Sequence, residues 1–91
     1  MRFQWDEVKR QANLKKHGFD FLDAERVFAG ETLTSLDNRF DYCEIRFLTI
    51  GILDGRAVGI THTQTDEVMR IISIRKARKN EEETYFQEIK N

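Results

Sequence analysis

The chain has 91 residues, 34% of them charged and 40% hydrophobic, with seven Phe and a formal charge of −1. That length carries enough apolar surface for one core, so a single domain over residues 1–91 is expected, and the hydrophobic content argues against disorder of the whole chain. Uncharged runs are short, Phe47 to Leu53 having seven residues, against the roughly 20 that a helix needs to cross a bilayer. Met1-Arg2-Phe3-Gln4-Trp5-Asp6 has no signal-peptide core, so a cytoplasmic protein with no membrane association is expected.

From Trp5, Val8 and Ala12 recur at helical spacing, and Gly18 follows His17 as a stop signal, which predicts a first helix over about Trp5 to Lys16. Asp20 is placed to cap a second helix with the apolar stripe Phe21, Ala24, Val27 and Phe28, ending before Gly30. Thr32 to Leu36 is a candidate short edge strand. Glu44 and Arg46 then alternate with Ile45 and Phe47, as in a half-buried strand that continues through Leu53. Asp54-Gly55 is a two-residue hairpin signal that requires positive φ, so Ala57 to Thr63 is the returning strand and Val68 to Ile74 a third. The connections between these strands are too short for parallel crossovers, which predicts an antiparallel sheet of three to four strands. A last helix, about Lys76 to Glu88, completes an α+β architecture. Cys43, the only cysteine, cannot form an internal disulfide and reads as a small hydrophobe.

The near-zero net charge hides an uneven distribution. Lys9, Arg10, Lys15 and Lys16 have no acid between them, and neither have Arg70, Arg75, Lys76, Arg78 and Lys79. Bases that open a helix run against its dipole. They are understandable where an anion such as phosphate binds there, or else as a solvated face with i, i+4 pairs such as Arg78 with Glu82. Trp5, Lys9, Asn13 and Lys16 align on one flank of the first helix, with His17 at its end. Such a flank suits an RNA strand: lysine pairs with phosphate, and an imidazole can exchange a proton at the 2′-hydroxyl or the leaving oxygen. The bland alternative makes Trp5 a core anchor and His17 a helix stop. His17 and His62 stand apart, no nucleophile elbow surrounds Ser35 or Ser73, and neither GxGxxG nor a P-loop occurs, so no metal or nucleotide cofactor is expected.

The strings Trp5-Asp6-Glu7-x-Lys9, Asn13-x-x-Lys16-His17-Gly18, Glu44-x-Arg46 and Arg70-Ile71-Ile72-Ser73-x-Arg75-Lys76-Ala77, followed by Glu81 and Tyr85, resemble the BrnT toxin family over nearly the whole chain. The resemblance implies a RelE-like fold and a type II toxin that cuts RNA without a metal and stops translation and growth. It also implies neutralisation by a BrnA-like antitoxin, which supplies the contact with operator DNA, and it allows a dimer within that complex. Carried over by position, Lys16, His17 and Arg75 are the candidate catalytic residues, and Lys9, Asn13, Arg70 and Lys76 the candidate substrate-binding ones. Many relatives have an arginine in the turn before the Arg-Ile-Ile-Ser strand, where Thr65 stands here. On the resemblance, either His62 or another base compensates, or this copy is a weakened toxin that binds antitoxin or RNA without cleaving.

Overall fold

Turn and cap chemistry set most of the element boundaries in the computed structural model, which describes residues 1–37 and 44–90. Asp6 accepts from the backbone N–H groups of Val8 and Lys9 and starts α1 (Glu7–His17). Gly18, at φ 78°, stops it by donating to the carbonyl of Leu14, a conformation that glycine adopts without a Cβ clash. Asp20 caps a 3₁₀ turn, Phe21–Asp23, that leads into α2 (Ala24–Phe28). Strands β2 (Leu33–Leu36), β3 (Phe47–Leu53), β4 (Arg56–Gln64) and β5 (Val68–Lys76) follow, then α3 (Lys79–Lys90). Asp54 and Gly55, at φ 51° and 80°, make the β3–β4 hairpin that the sequence predicts.

The sheet differs from the expectation in strand number and direction. A further strand, β1 (Arg2–Gln4), pairs in parallel with β5, so the described strands form one mixed sheet in the order β1-β5-β4-β3-β2. Three residues show no periodicity. The argument from short connections applies to consecutive strands, whereas β1 and β5 are separated by most of the chain. Glu44 to Arg46 lie outside β3, and Ile45 is 68% exposed rather than half-buried. Cys43 lies outside the described residues.

A second difference sits at the start of the last helix. Lys76 still pairs with Val58, and the N–H of Ala77 donates to the carbonyl of Ala57, so sheet pairing holds the chain extended up to there. Arg75 and Lys76 therefore belong to β5, and α3 begins at Lys79. Its first turn is closed by Glu81, which accepts from the N–H of Arg78 at 2.8 Å, the back-bond of a capping box. The anion at this helix end is the chain's own carboxylate.

Alternation along the strands separates two apolar clusters on the two faces of the sheet. On one, Phe21, Ala24 and Val27 pack on Val58, Ile60, Ile71 and Ile74, with Trp5 against the edge, so Trp5 is a core anchor. On the other, Tyr85 of α3 packs with Ile50, Ala57 and Ala77, and its hydroxyl donates to the carbonyl of Glu31. Helix α1 contributes little apolar surface: Val8 is 78% exposed and Ala12 is exposed, against the expected stripe, and Asn13 is the residue of α1 that is buried.

Gly51 lets α2 approach β3, because a Cβ there would lie 2.6 Å from Cγ1 of Val27. Valine is stiff at χ1 and cannot swing away. Gly51→Ala is expected to lower stability by about 1 to 3 kcal/mol through overpacking, measured as a shifted urea midpoint; an unchanged midpoint would contradict this packing.

Candidate nucleic-acid interface

Strand β5 carries the basic residues, and an irregularity in it decides where they point. Thr61 pairs with Ser73 and His62 with Ile71, which leaves Ile72 as an extra residue with no partner across β4. An inserted residue of this kind reverses the alternation beyond it. Thr63, Thr61 and Gly59 share one face of β4, so their partners Arg70, Ser73 and Arg75 share that face too. Without the bulge, Arg70 and Arg75 would point to opposite sides, since they are five residues apart.

Near the β1 end of this face lies a depression of about 240 Å³, lined by Asp6, Lys9, Glu44, Arg46, Arg70 and Ile72. Arg70 donates to Glu44, and Arg46 is 3.6 Å from the same carboxylate. The depression thus gathers Lys9, Arg46 and Arg70 with two acids, Asp6 and Glu44. Arg46 was not singled out among the candidate site residues, although the Glu44-x-Arg46 pattern contains it. A groove of about 370 Å³ between α3 and β2 is lined by Leu33, Leu48, Ile50 and Thr84 and carries no cation among its lining residues.

Asn13 fixes α1 along the outer edge of β5. Its Nδ2 donates to the carbonyls of Phe19, at 3.0 Å, and Ile74, at 2.9 Å, while its Oδ1 accepts from the N–H of Ile74 at 3.2 Å. Both amide protons are used and the side chain is buried, so Asn13 has no donor left for substrate. Its position on the flank with Lys9 and Lys16 agrees with the helical spacing; its role is to replace a neighbouring strand for Ile74. Lys16 lies one turn beyond Asn13 on the same side of α1, and His17 is the last residue of the helix; both are exposed, as is Lys9.

Arg10, Arg70 and Arg75 of the acid-free segments have acids in space. Arg10 donates to Glu7 at 2.6 Å and to Asp20 at 3.0 Å, and its bond to Glu7 holds that carboxyl below its ordinary range. Arg75 makes a two-pronged pair with Glu81, Nη1 to Oε1 at 2.8 Å and Nη2 to Oε2 at 3.0 Å. The bonds from Arg75 lower the Glu81 carboxyl despite its partial burial.

His62 is fully buried, in ring contact with Phe28 and Phe47, with Nε2 2.7 Å from Oγ1 of Thr49. Burial pushes its pKa down to about 4. It cannot reach RNA, which removes it as a compensating base. Thr65 is exposed at the β4–β5 turn, where its Oγ1 accepts from the N–H of Val68 at 3.1 Å and its own N–H donates to the carbonyl of Val68 at 2.8 Å.

A family model described as the ribonuclease toxin BrnT of type II toxin–antitoxin systems matches residues 5–81. The chain belongs to the BrnT family. Comparison with curated proteins gave no match. Membership makes this BrnT chain a ribonuclease toxin of a type II system with an antitoxin partner. The matched span includes α1, the β5 bulge and Glu81, and stops before most of α3. No helix among the described residues is long and apolar enough to cross a membrane.

Proposed function

We propose that this chain is a metal-independent endoribonuclease that cleaves cellular RNA in the cytoplasm, inhibits translation and growth, and is silenced by a BrnA-like antitoxin. The observation that carries the reading is the shared face of Arg70 and Arg75 on β5, with α1 and its lysines fixed along the edge of that strand by Asn13.

The chemistry is transfer within the RNA backbone. The 2′-oxygen attacks the adjacent phosphorus and the bond to the 5′-oxygen breaks. The 2′-hydroxyl proton goes to a base and the 5′-oxygen gains a proton, leaving a 2′,3′-cyclic phosphate and a 5′-hydroxyl. Negative charge grows on the non-bridging oxygens, where fixed cations stabilise it. Arg75 and Lys16 hold that charge, His17 transfers the proton, and Lys9, Arg70 and Lys76 carry flanking phosphates. Lys76 points to the opposite face from Arg75 by alternation, so it serves a phosphate at the strand end. We read the architecture as RelE-like. An acidic or apolar antitoxin segment across these cations blocks RNA by complementarity; the antitoxin brings operator DNA, and the complex accommodates a toxin dimer.

The test is cleavage of RNA by purified protein in excess chelator. Wild type is expected to remain active, and Lys16→Ala and Arg75→Ala to lose about 100-fold in rate. Full activity in either variant, with growth arrest intact, refutes the assignment. A second reading, a module that binds antitoxin or RNA without cleaving, is favoured by Thr65, whose hydroxyl is bound into the turn and offers no cation there. RNA binding and antitoxin pairing with no cleavage by wild type would select it.

A further inference from the structure

We infer that Glu81 is a positioning residue for Arg75, holding one edge of its guanidinium so that the other edge is presented to a phosphate. The inference rests on Arg75 being a phosphate-binding group. A guanidinium has five N–H donors, and two of its edges each offer a pair of parallel N–H bonds. One edge is occupied. Nη1 donates to Oε1 of Glu81 and to the carbonyl of Lys76, and Nη2 donates to Oε2 of Glu81. This uses both protons of Nη1 and one of Nη2. The Nε–H and the second Nη2–H form the other edge. They take no partner among the described residues, and Nε is not among the atoms sealed away from solvent without one. Two parallel donors of this kind match two oxygens of a phosphate.

The support behind the fork is rigid. Gly59 lies under it: a Cβ there would be 3.2 Å from Nη1 and 3.4 Å from Cζ, so the group rests against the backbone of β4. Glu81 is itself fixed by the N–H of Arg78, and the two side chains are only 15% and 14% exposed. Helix capping alone would need one oxygen of Glu81. The second oxygen, on Nη2, fixes rotation about the Cδ–Nε bond. The arginine has therefore lost its rotamer freedom before substrate arrives, which lowers what binding costs and fixes the donors where charge develops. Strand β5 and helix α3 are both needed to build this fork, because Arg75 comes from one and Glu81 from the other.

The test compares cleavage of a short RNA by wild type, Glu81→Gln, Arg75→Lys and the double variant, with thermal unfolding of each. Glutamine keeps an acceptor for Arg78 but loses the charge and the second acceptor oxygen. Glu81→Gln is expected to lower kcat roughly 10-fold with KM nearly unchanged, since the fork acts on developing charge. In the Arg75→Lys background, where no fork exists, the same change is expected to have less than about a twofold effect. Equal losses in both backgrounds, full activity, or tighter RNA binding by Glu81→Gln overturns the inference. Wild-type kcat in Arg75→Lys overturns the role of Arg75 itself, a separable result. The Arg75 Nε–H resonance, followed during titration with 2′-O-methyl RNA, reads the same fork without cleavage. It is expected to shift in wild type and to shift less in Glu81→Gln, with the two affinities equal within about twofold; an unmoved resonance in wild type, or the same shift in both proteins, overturns the inference.

Discussion

Replacing Asn13 with leucine is expected to destabilise the folded chain by about 4 kcal/mol, because three buried backbone groups lose their partners at roughly 1 to 3 kcal/mol each. The groups are the carbonyl of Phe19 and the N–H and carbonyl of Ile74. Leucine fills most of the volume but offers neither donor nor acceptor. A domain of this size has roughly 5 to 15 kcal/mol in hand, so the variant is expected to be marginal. Urea unfolding followed by Trp5 fluorescence measures the loss. Asn13→Asp is expected to be about as harmful: it can still accept from Ile74, but it sets an anion against two carbonyl oxygens. A loss below about 1 kcal/mol in both variants would mean that water or a shift of α1 satisfies these groups instead.

The same residue marks where the sequence could be read and where it could not. Turn and cap positions were legible because their causes are local: Gly18 and Asp54-Gly55 require positive φ, and Asp6 and Asp20 accept from N–H groups two or three residues on. The stripe of Phe21, Ala24 and Val27 was legible for the same reason, and all three are buried. Asn13 falls on the predicted flank, but the partner its amide takes could not be read locally, since the edge of β5 that it satisfies lies 61 residues away. The near absence of apolar residues on α1 was the available signal that a polar contact docks this helix. Strand β1 escaped because three residues carry no period and pair with a distant strand. The bulge at Ile72 has no local signature in Arg70-Ile71-Ile72-Ser73, and it alone puts Arg70 and Arg75 on one face.

Charge followed a similar division. A count along the chain finds two acid-free segments, yet three of their arginines meet acids in space: Arg10 pairs with Glu7 and Asp20, Arg70 with Glu44, Arg75 with Glu81. Planar five-donor groups suit such struts, while Lys9, Lys15, Lys16 and Lys76 stay exposed as compact charges. On the proposed reading, phosphate meets two kinds of cation on this surface: lysines that attract it without fixed geometry, and Arg75, which offers it a pre-oriented edge. Glu81 could not be found as its partner by helix spacing, because a separation of six residues joins a strand to a helix and is not an i, i+4 pair.

The buried imidazole of His62 makes acid stability the second large effect. Its pKa is held near 4 by burial, against about 6.5 in the unfolded chain. The unfolded state therefore binds more protons between about pH 6.5 and 4, and stability falls as pH falls through that window. The contribution is complete above about pH 6.5 and gone below about pH 4, where both states carry the proton. A displacement of this size corresponds to about 3 kcal/mol. Protonation would place a cation between the rings of Phe28 and Phe47, with Oγ1 of Thr49 the one oxygen hydrogen-bonded to it among the described side chains. His62→Leu removes the titration and keeps an apolar fill. Urea midpoints measured from about pH 7.5 down to 4 are expected to fall more steeply for wild type than for the variant, by about 3 kcal/mol in total. The carboxylates that lose their charge at lower pH, Glu7 and Glu81 among them, are common to both proteins and cancel in the difference. Parallel curves would show that the imidazole takes up its proton without leaving its pocket, and the buried contact of β3 with β4 at Thr49 and His62 would then not be the acid-sensitive point of the sheet.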